Sequence, residues 1–235
     1  MATVGLASVH KSQATSANLS FYYLLFFLSG FPALLYQIVW QRALFTLYGV
    51  NIESVTMIVT VFMLGLGLGS LAGGRLSSLP RVRPLAAFGA IEISIGLFGA
   101  ASLWIFHRVG ALTAGHSTFS TGLFAFILLL IPTLLMGSTL PLLVEHVVRT
   151  TGNVGESVGS LYAVNTFGSA LACFAAAVVL MGTLGERGVV DLACCFNVLV
   201  GASAMAIGSR SVSAGAAKTL EEPNHSDQQS PFGSA

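Results

Sequence analysis

"GFPALLYQIVWQR", Gly30 to Arg42, and "GSTLPLLVEHVVR", Gly137 to Arg149, carry one pattern. At a shift of 107 residues Gly30 matches Gly137, Leu35 matches Leu142 and Arg42 matches Arg149, and each stretch has an early proline, Pro32 and Pro141. Both lie in strongly apolar runs, where such residues are costly. A proline inside a helix gives up an i to i−4 hydrogen bond, and a polar side chain facing hydrocarbon lacks partners. Costly residues that recur at a fixed shift point to internal duplication, a common plan in transporters built from inverted halves.

The composition surrounding these stretches sets the class. Of the 235 residues 54% are hydrophobic and only 8% charged, against about 25% charged in soluble domains. Mean hydropathy is +0.84. Roughly 20 helical residues cross the hydrocarbon core, and six segments qualify: 20–41, 54–76, 84–106, 119–144, 158–181 and 188–208. The alternation of a β-barrel is absent. The expected fold is therefore all-α, a polytopic membrane protein of six transmembrane helices. Its expected layout is a cytoplasmic N-terminal segment 1–19, a six-helix membrane domain 20–208 and a disordered cytoplasmic tail 209–235 that is polar and rich in Ser, Ala, Pro and Gln. The first apolar run exceeds a signal-peptide core of 7 to 15 residues and ends in no small-residue cleavage site, so it reads as an uncleaved span.

Orientation follows from the ten Lys and Arg. With the N-terminus inside, Lys11, Arg75, Arg81, Arg83, Arg149, Arg210 and Lys218 lie on the cytoplasmic side, against Arg42, Arg108 and Arg187 outside. This bias predicts a multi-pass protein of the inner, cytoplasmic membrane with both termini in the cytoplasm. The lipid bilayer is its first partner. No basic block suggests nucleic acid. Cys173, Cys194 and Cys195 lie in apolar runs without CxxC spacing and read as small core residues, so no metal or cofactor is implied.

Two further matches extend the repeat. "IEISIG" in span three pairs with "FNVLVG" in span six at a shift of 105, setting Glu92 against Asn197 and Gly96 against Gly201. Gly65, Gly69 and Gly73 in span two and Gly168, Ala172 and Ala176 in span five form small-residue stripes at a shift of 103. Such stripes let helices approach closely where lipid supplies no hydrophobic drive. Three spans is an odd number, so the second half must be inverted. The expected 3+3 inverted repeat is the plan of half of a major facilitator transporter.

Glu92 is the one acid deep within a span, about 12 Å past Pro84. Gly89 and Gly96 flank it, which sets it on the protein-facing side of its helix. Ser29, Asn165 and Thr166 lie at similar depth. Glu92 reads either as a cation or proton site or as a protonated residue hydrogen-bonded between helices. Gln37 and Asn197 fall in the outer half, as interhelical hydrogen-bonding groups or substrate contacts. Tyr36, Trp40 and Arg42 read as interface anchors, Pro32 and Pro141 as kinks, and Glu145, His146 and Arg149 as a solvated helix end.

The ordered strings "SGFPALLYQIVWQRAL…LYG", "FMLGLGLGSLAGGRL", "IPTLLMGSTLPLL" and "GSLYAVNTFGSALACFAAAVVLMGTLG" resemble the membrane domain of the spermidine-synthase-like membrane proteins, fusions of a major-facilitator-like part with a spermidine synthase part. The resemblance spans about residues 20–207. It implies an acid at the position held here by Gln37, from which this chain departs. It also implies a soluble aminopropyltransferase-like domain after the membrane part. No Gly-rich strand-turn-helix is found after residue 207, so the expectation is that the polypeptide is not itself a synthase. No Ser/His/Asp or paired-carboxylate set appears on one face of the bundle. Two functions are compatible with these features. One is a transporter-like module handling polyamines or other small cations, which would work as a homodimer because a two-sided pathway needs two six-span halves. The other is a non-catalytic scaffold or regulatory subunit for a separate synthase-like or other partner enzyme, docked on "RLSSLPRVRP" and the tail.

Overall fold

The computed structural model describes residues 2–48, 52–113 and 118–221, with side chains over 19–46, 55–113 and 120–209. The helices are α1 (Ala2–Tyr48), α2 (Ile52–Ser77), α3 (Pro84–Thr113), α4 (Thr118–Thr151), α5 (Val154–Ala175), a π-helical segment (Ala176–Leu180), the short α6 (Met181–Thr183) and α7 (Gly185–Glu221). Among the described residues there is no strand. Six stretches are long and apolar enough to cross a membrane: Leu19–Thr46, Val55–Ser77, Pro84–Thr113, Ser120–Thr151, Val154–Thr183 and Gly185–Ser209. The chain is a multi-pass, all-helical membrane protein.

Several helices run past the boundaries read from the sequence. α1 is already helical at Ala2 and so takes in residues 2–19 of the expected N-terminal segment. α7 continues through Glu221, past the expected boundary at 208. Residues 222–235 of the expected tail lie outside the described residues. The turns between spans are short. Gly152 and Gly185, with φ of 72° and 65°, supply the left-handed backbone that closes α4 and opens α7. Asn153 caps α5, accepting from the Glu156 backbone N–H at 3.2 Å and donating to the Glu156 carboxylate at 3.1 Å.

The principal helix pairs are α2 with α4, α1 with α5, α3 with α7, α3 with α4 and α1 with α7. Small residues set their spacing. A methyl group on Gly69 would collide with the Leu134 carbonyl, one on Gly168 with the Phe27 carbonyl, and one on Gly137 with Leu66. Where α3 crosses α7, a methyl on Gly89 would lie 2.7 Å from the Gly201 carbonyl oxygen, and one on Gly201 2.6 Å from that of Gly89. Backbones this close gain dispersion contact that lipid cannot supply. Within the other stripe positions, Gly65 lies against Thr133, Gly73 against Ser138 and Pro141, and Ala172 and Ala176 are fully buried. α4 contains Pro132 besides Pro141, and α1 and α4 continue as helices through all three internal prolines.

Two apolar clusters form the core. One gathers Leu35, Tyr36, Val39, Trp40, Ile58, Phe62, Ile95, Leu129, Ala172 and Val190; the other gathers Phe26, Phe88, Leu142, Leu143, Leu161 and Val200. Tyr36 and Trp40 are therefore core residues, with none of their surface exposed, and not the interface anchors expected. Their rings stack at 5.1 Å, and the Trp40 indole N–H donates to Ser102 Oγ at 3.0 Å. The glycine at position 99 opens the space that the Tyr36 ring fills. Arg42 does stand at the bundle surface, where it pairs with Glu186 of α7 at 3.2 Å.

The cysteines depart from expectation in the opposite direction. Cys173 and Cys195 face outward and only Cys194 is half-buried; all three are free thiols. Lipid and protein core are both apolar, so an apolar run does not tell which of its residues face inward. At the helix end, Arg149 stays exposed and Glu145 partly so, as expected, and His146 is the residue that turns inward. His146 packs edge-on against Tyr22 at 4.8 Å, and Arg149 binds Glu145 at 2.8 Å and the Ser77 carbonyl at 3.4 Å.

Candidate functional site

Between the two apolar clusters five helices each contribute polar side chains: Ser29 on α1 between Phe26 and Leu35, Glu92 on α3 between Phe88 and Ile95, Thr139 on α4 between Met136 and Leu142, Asn165 and Ser169 on α5 between Leu161 and Ala172, and Asn197 on α7 between Ala193 and Val200. They line a cavity of about 140 Å³ whose remaining wall is apolar, from Ala33, Leu34, Leu66, Ile95 and Met136.

Glu92 is its focus and is fully buried. Ser29 Oγ donates to Glu92 Oε1 at 2.5 Å, and Asn197 Nδ2 donates to Glu92 Oε2 at 2.6 Å. The carboxylate is thus held from both sides by α1 and α7. Gly89 and Gly96 make this geometry attainable, since they let α3 come close enough to α7 for the short Asn197 side chain to reach Glu92. α5 is fixed to α1 by two further bonds one turn apart: Asn165 Nδ2 to the Phe26 carbonyl at 3.1 Å and Ser169 Oγ to the Gly30 carbonyl at 2.9 Å. Asn197 Oδ1 is buried and has no hydrogen-bond partner, an unusual state for a buried carbonyl oxygen.

Four of the residues that stand out in the sequence, Glu92, Ser29, Asn165 and Asn197, come together here. Gln37 does not: it lies about 12 Å along α1 from Ser29 and lines no part of the cavity. Thr166 is likewise outside, with its hydroxyl spent on the Tyr162 carbonyl at 2.8 Å. Asn197, expected in the outer half with Gln37, shares the level of Glu92, because α7 already begins at Gly185 and Asn197 sits deeper than a span starting at 188 implies. Ser169 and Thr139 are cavity residues that sequence reasoning misses. Ser169 has a signal in its spacing, one turn from Asn165 on the same helix face; Thr139 has none. Among the described residues no group of three or more His, Cys, Asp or Glu could hold a metal ion.

A six-span helical membrane protein with a polar mid-membrane cavity around one acid is the class that fold and site define. Compared with known proteins, the chain is 32% identical over 165 residues, 67% of its length, to polyamine aminopropyltransferase 2 of Streptomyces coelicolor. It spans 28% of that relative's length. No family model matches, and no solved structure matches.

Proposed function

We propose that the chain is a transporter-like membrane module that handles small cations, with Glu92 as the cation or proton contact. The observation that carries this reading is the buried Glu92 carboxylate in a cavity at the middle of the spans. An acid in that position costs about 2.5 to 3.5 kcal/mol on insertion scales, so it is retained for a partner or a pathway.

The reading includes a 3+3 inverted repeat, like half of a major facilitator transporter, and the helix pairing supports it. Exchanging α1 with α4, α2 with α5 and α3 with α7 turns the pair α2–α4 into α5–α1, turns α3–α4 into α7–α1 and leaves α3–α7 unchanged. Individual close approaches obey the same exchange. Gly30 meets Asn165 where Gly137 meets Leu66, and Gly168 meets Phe27 where Gly69 meets Leu134. The α1 and α4 members are related by a shift of 107 and the α2 and α5 members by 99, one helical turn from the 103 at which the stripes align in sequence. In the α3–α7 crossing, Gly89 meets Gly201 where Gly96 meets Cys194, and Gly201 meets Ile93 where Gly96 meets Val198, both at a shift of 105. Glu92 and Asn197 exchange with each other, so their hydrogen bond lies on the pseudo-two-fold axis.

The same reading takes the two termini to be cytoplasmic and the membrane to be the inner one, from the Lys and Arg bias, and takes the working unit to be a homodimer. Uptake of radiolabelled amines into proteoliposomes tests it, wild type beside Glu92→Gln. Flux abolished in a folded Glu92→Gln protein supports the reading, and equal flux in both sinks it.

A second reading, a membrane scaffold for an aminopropyltransferase, draws on the similarity to polyamine aminopropyltransferase 2. Co-purification of such an enzyme that is lost when Arg81 and Arg83 are neutralised would support it.

A further inference from the structure

We infer that the Glu92 cavity takes a single primary ammonium group with a short apolar tail, in preference to diamines and polyamines, quaternary ammonium ions or metal cations; this rests on the cation-handling reading above. The inference comes from which hydrogen-bonding capacities are already spent. The Ser29 hydroxyl proton goes to Glu92, that of Ser169 to the Gly30 carbonyl and that of Thr139 to the Met136 carbonyl at 2.8 Å. Each Asn amide commits one of its two N–H groups, Asn165 to the Phe26 carbonyl and Asn197 to Glu92. Acceptor capacity stays open: the carboxylate lone pairs and Asn197 Oδ1, which has no partner. A ligand that completes this site brings donors and one positive charge. A primary ammonium has three N–H donors and no acceptor.

The rest of the wall selects the group attached to the ammonium. Ala33, Leu34, Leu66, Ile95 and Met136 present hydrocarbon, which suits an alkyl tail and leaves a second charge without an acid. Glu92 is the one acid among the lining residues. A diamine would thus hold its second ammonium desolvated and unpaired, which is strongly disfavoured. A quaternary ammonium has no N–H for Asn197 Oδ1. An alkali ion would need several converging oxygens to replace its hydration shell, and the Phe26 and Gly30 carbonyls are occupied by Asn165 and Ser169.

The test is equilibrium binding of radiolabelled n-butylammonium to the full chain in lipid nanodiscs, with competition by 1,4-diaminobutane, tetramethylammonium and sodium. The expected result is saturable binding that 1,4-diaminobutane displaces at least tenfold less well, and that tetramethylammonium and sodium leave unaffected. Binding is lost in Glu92→Gln. Leu66→Glu, which adds an acid to the hydrocarbon side, raises the relative affinity for 1,4-diaminobutane at least tenfold. The wild-type ratio decides the matter even if a variant does not fold. Diamine binding equal to or tighter than the monoamine, still dependent on Glu92, overturns this inference and leaves cation handling standing. Absence of binding by any of these cations to folded protein overturns both.

Discussion

Gly201→Ala and Gly96→Ala place the same added methyl at positions 105 residues apart, yet the α3–α7 crossing receives them differently. On Gly201 the methyl would sit 2.6 Å from the Gly89 carbonyl oxygen, 2.7 Å from Ile93 Cγ1 and 3.1 Å from the Ile93 backbone nitrogen. Relief to an ordinary contact of 3.4 Å requires the two helices to separate by about 0.8 Å, because the obstructing oxygen belongs to the backbone. Such overpacking costs about 1 to 3 kcal/mol. On Gly96 the nearest atoms are Asn197 Cβ at 3.2 Å and the Cys194 carbonyl oxygen and Val198 Cγ2 at 3.3 Å, so a few tenths of an ångström suffice. Both changes gain about 0.8 to 1 kcal/mol of helix propensity. The net expectation is a loss of about 0 to 2 kcal/mol for Gly201→Ala and a change between neutral and about 1 kcal/mol stabilising for Gly96→Ala. Reversible SDS-driven unfolding in mixed micelles, monitored by circular dichroism, measures both. If Gly96→Ala is destabilised as much as Gly201→Ala, the reasoning from backbone separation fails.

Two further expectations concern the apolar cluster and the outer surface. Trp40→Phe removes the interhelical bond to Ser102 and is expected to cost about 0.6 to 1.7 kcal/mol for that bond alone; a double-mutant cycle with Ser102→Ala that returns no coupling would remove the bond from the account. A nitroxide on Cys173, with Cys194→Ser and Cys195→Ser, faces hydrocarbon and is expected to be relaxed strongly by dissolved oxygen and weakly by a water-soluble nickel complex; equal relaxation by both would contradict an outward, lipid-facing Cys173.

The spans and the protein-facing side of Glu92 are readable from sequence because both rest on strong local signals: length of apolar run in the first case, flanking Gly89 and Gly96 in the second. Depth is less readable. Counting from an apparent helix start places Asn197 in the outer half, and helix starts hidden in apolar sequence shift such counts by about a turn. Facing is the least readable property. Trp40 and Tyr36 look like interfacial aromatics beside Arg42, and Cys173 and Cys195 look like core, until Gly99 and Ser102 on α3 show where the rings fit. In water, polarity marks the outside of a helix; in lipid both sides are apolar, and only partners on other helices mark the inside. The Asn197 to Glu92 bond is a partnership of that kind, and the 105-residue alignment pairs those same two positions.

The π-helical segment Ala176–Leu180 changes how the end of α5 can vary. There the Met181 N–H reaches back five residues to the Ala176 carbonyl, so this turn carries one residue more than an α-helical turn. A one-residue deletion between 176 and 180 would therefore be absorbed by conversion to regular α-helix, leaving Asn165 and Ser169 aimed at α1 as before. A deletion between 157 and 164 would rotate the preceding turn by about 100° relative to Asn165 and carry the Asn153 cap out of line with α4. Among natural variants of this helix, length differences should collect in the π segment and avoid the stretch that holds the cavity.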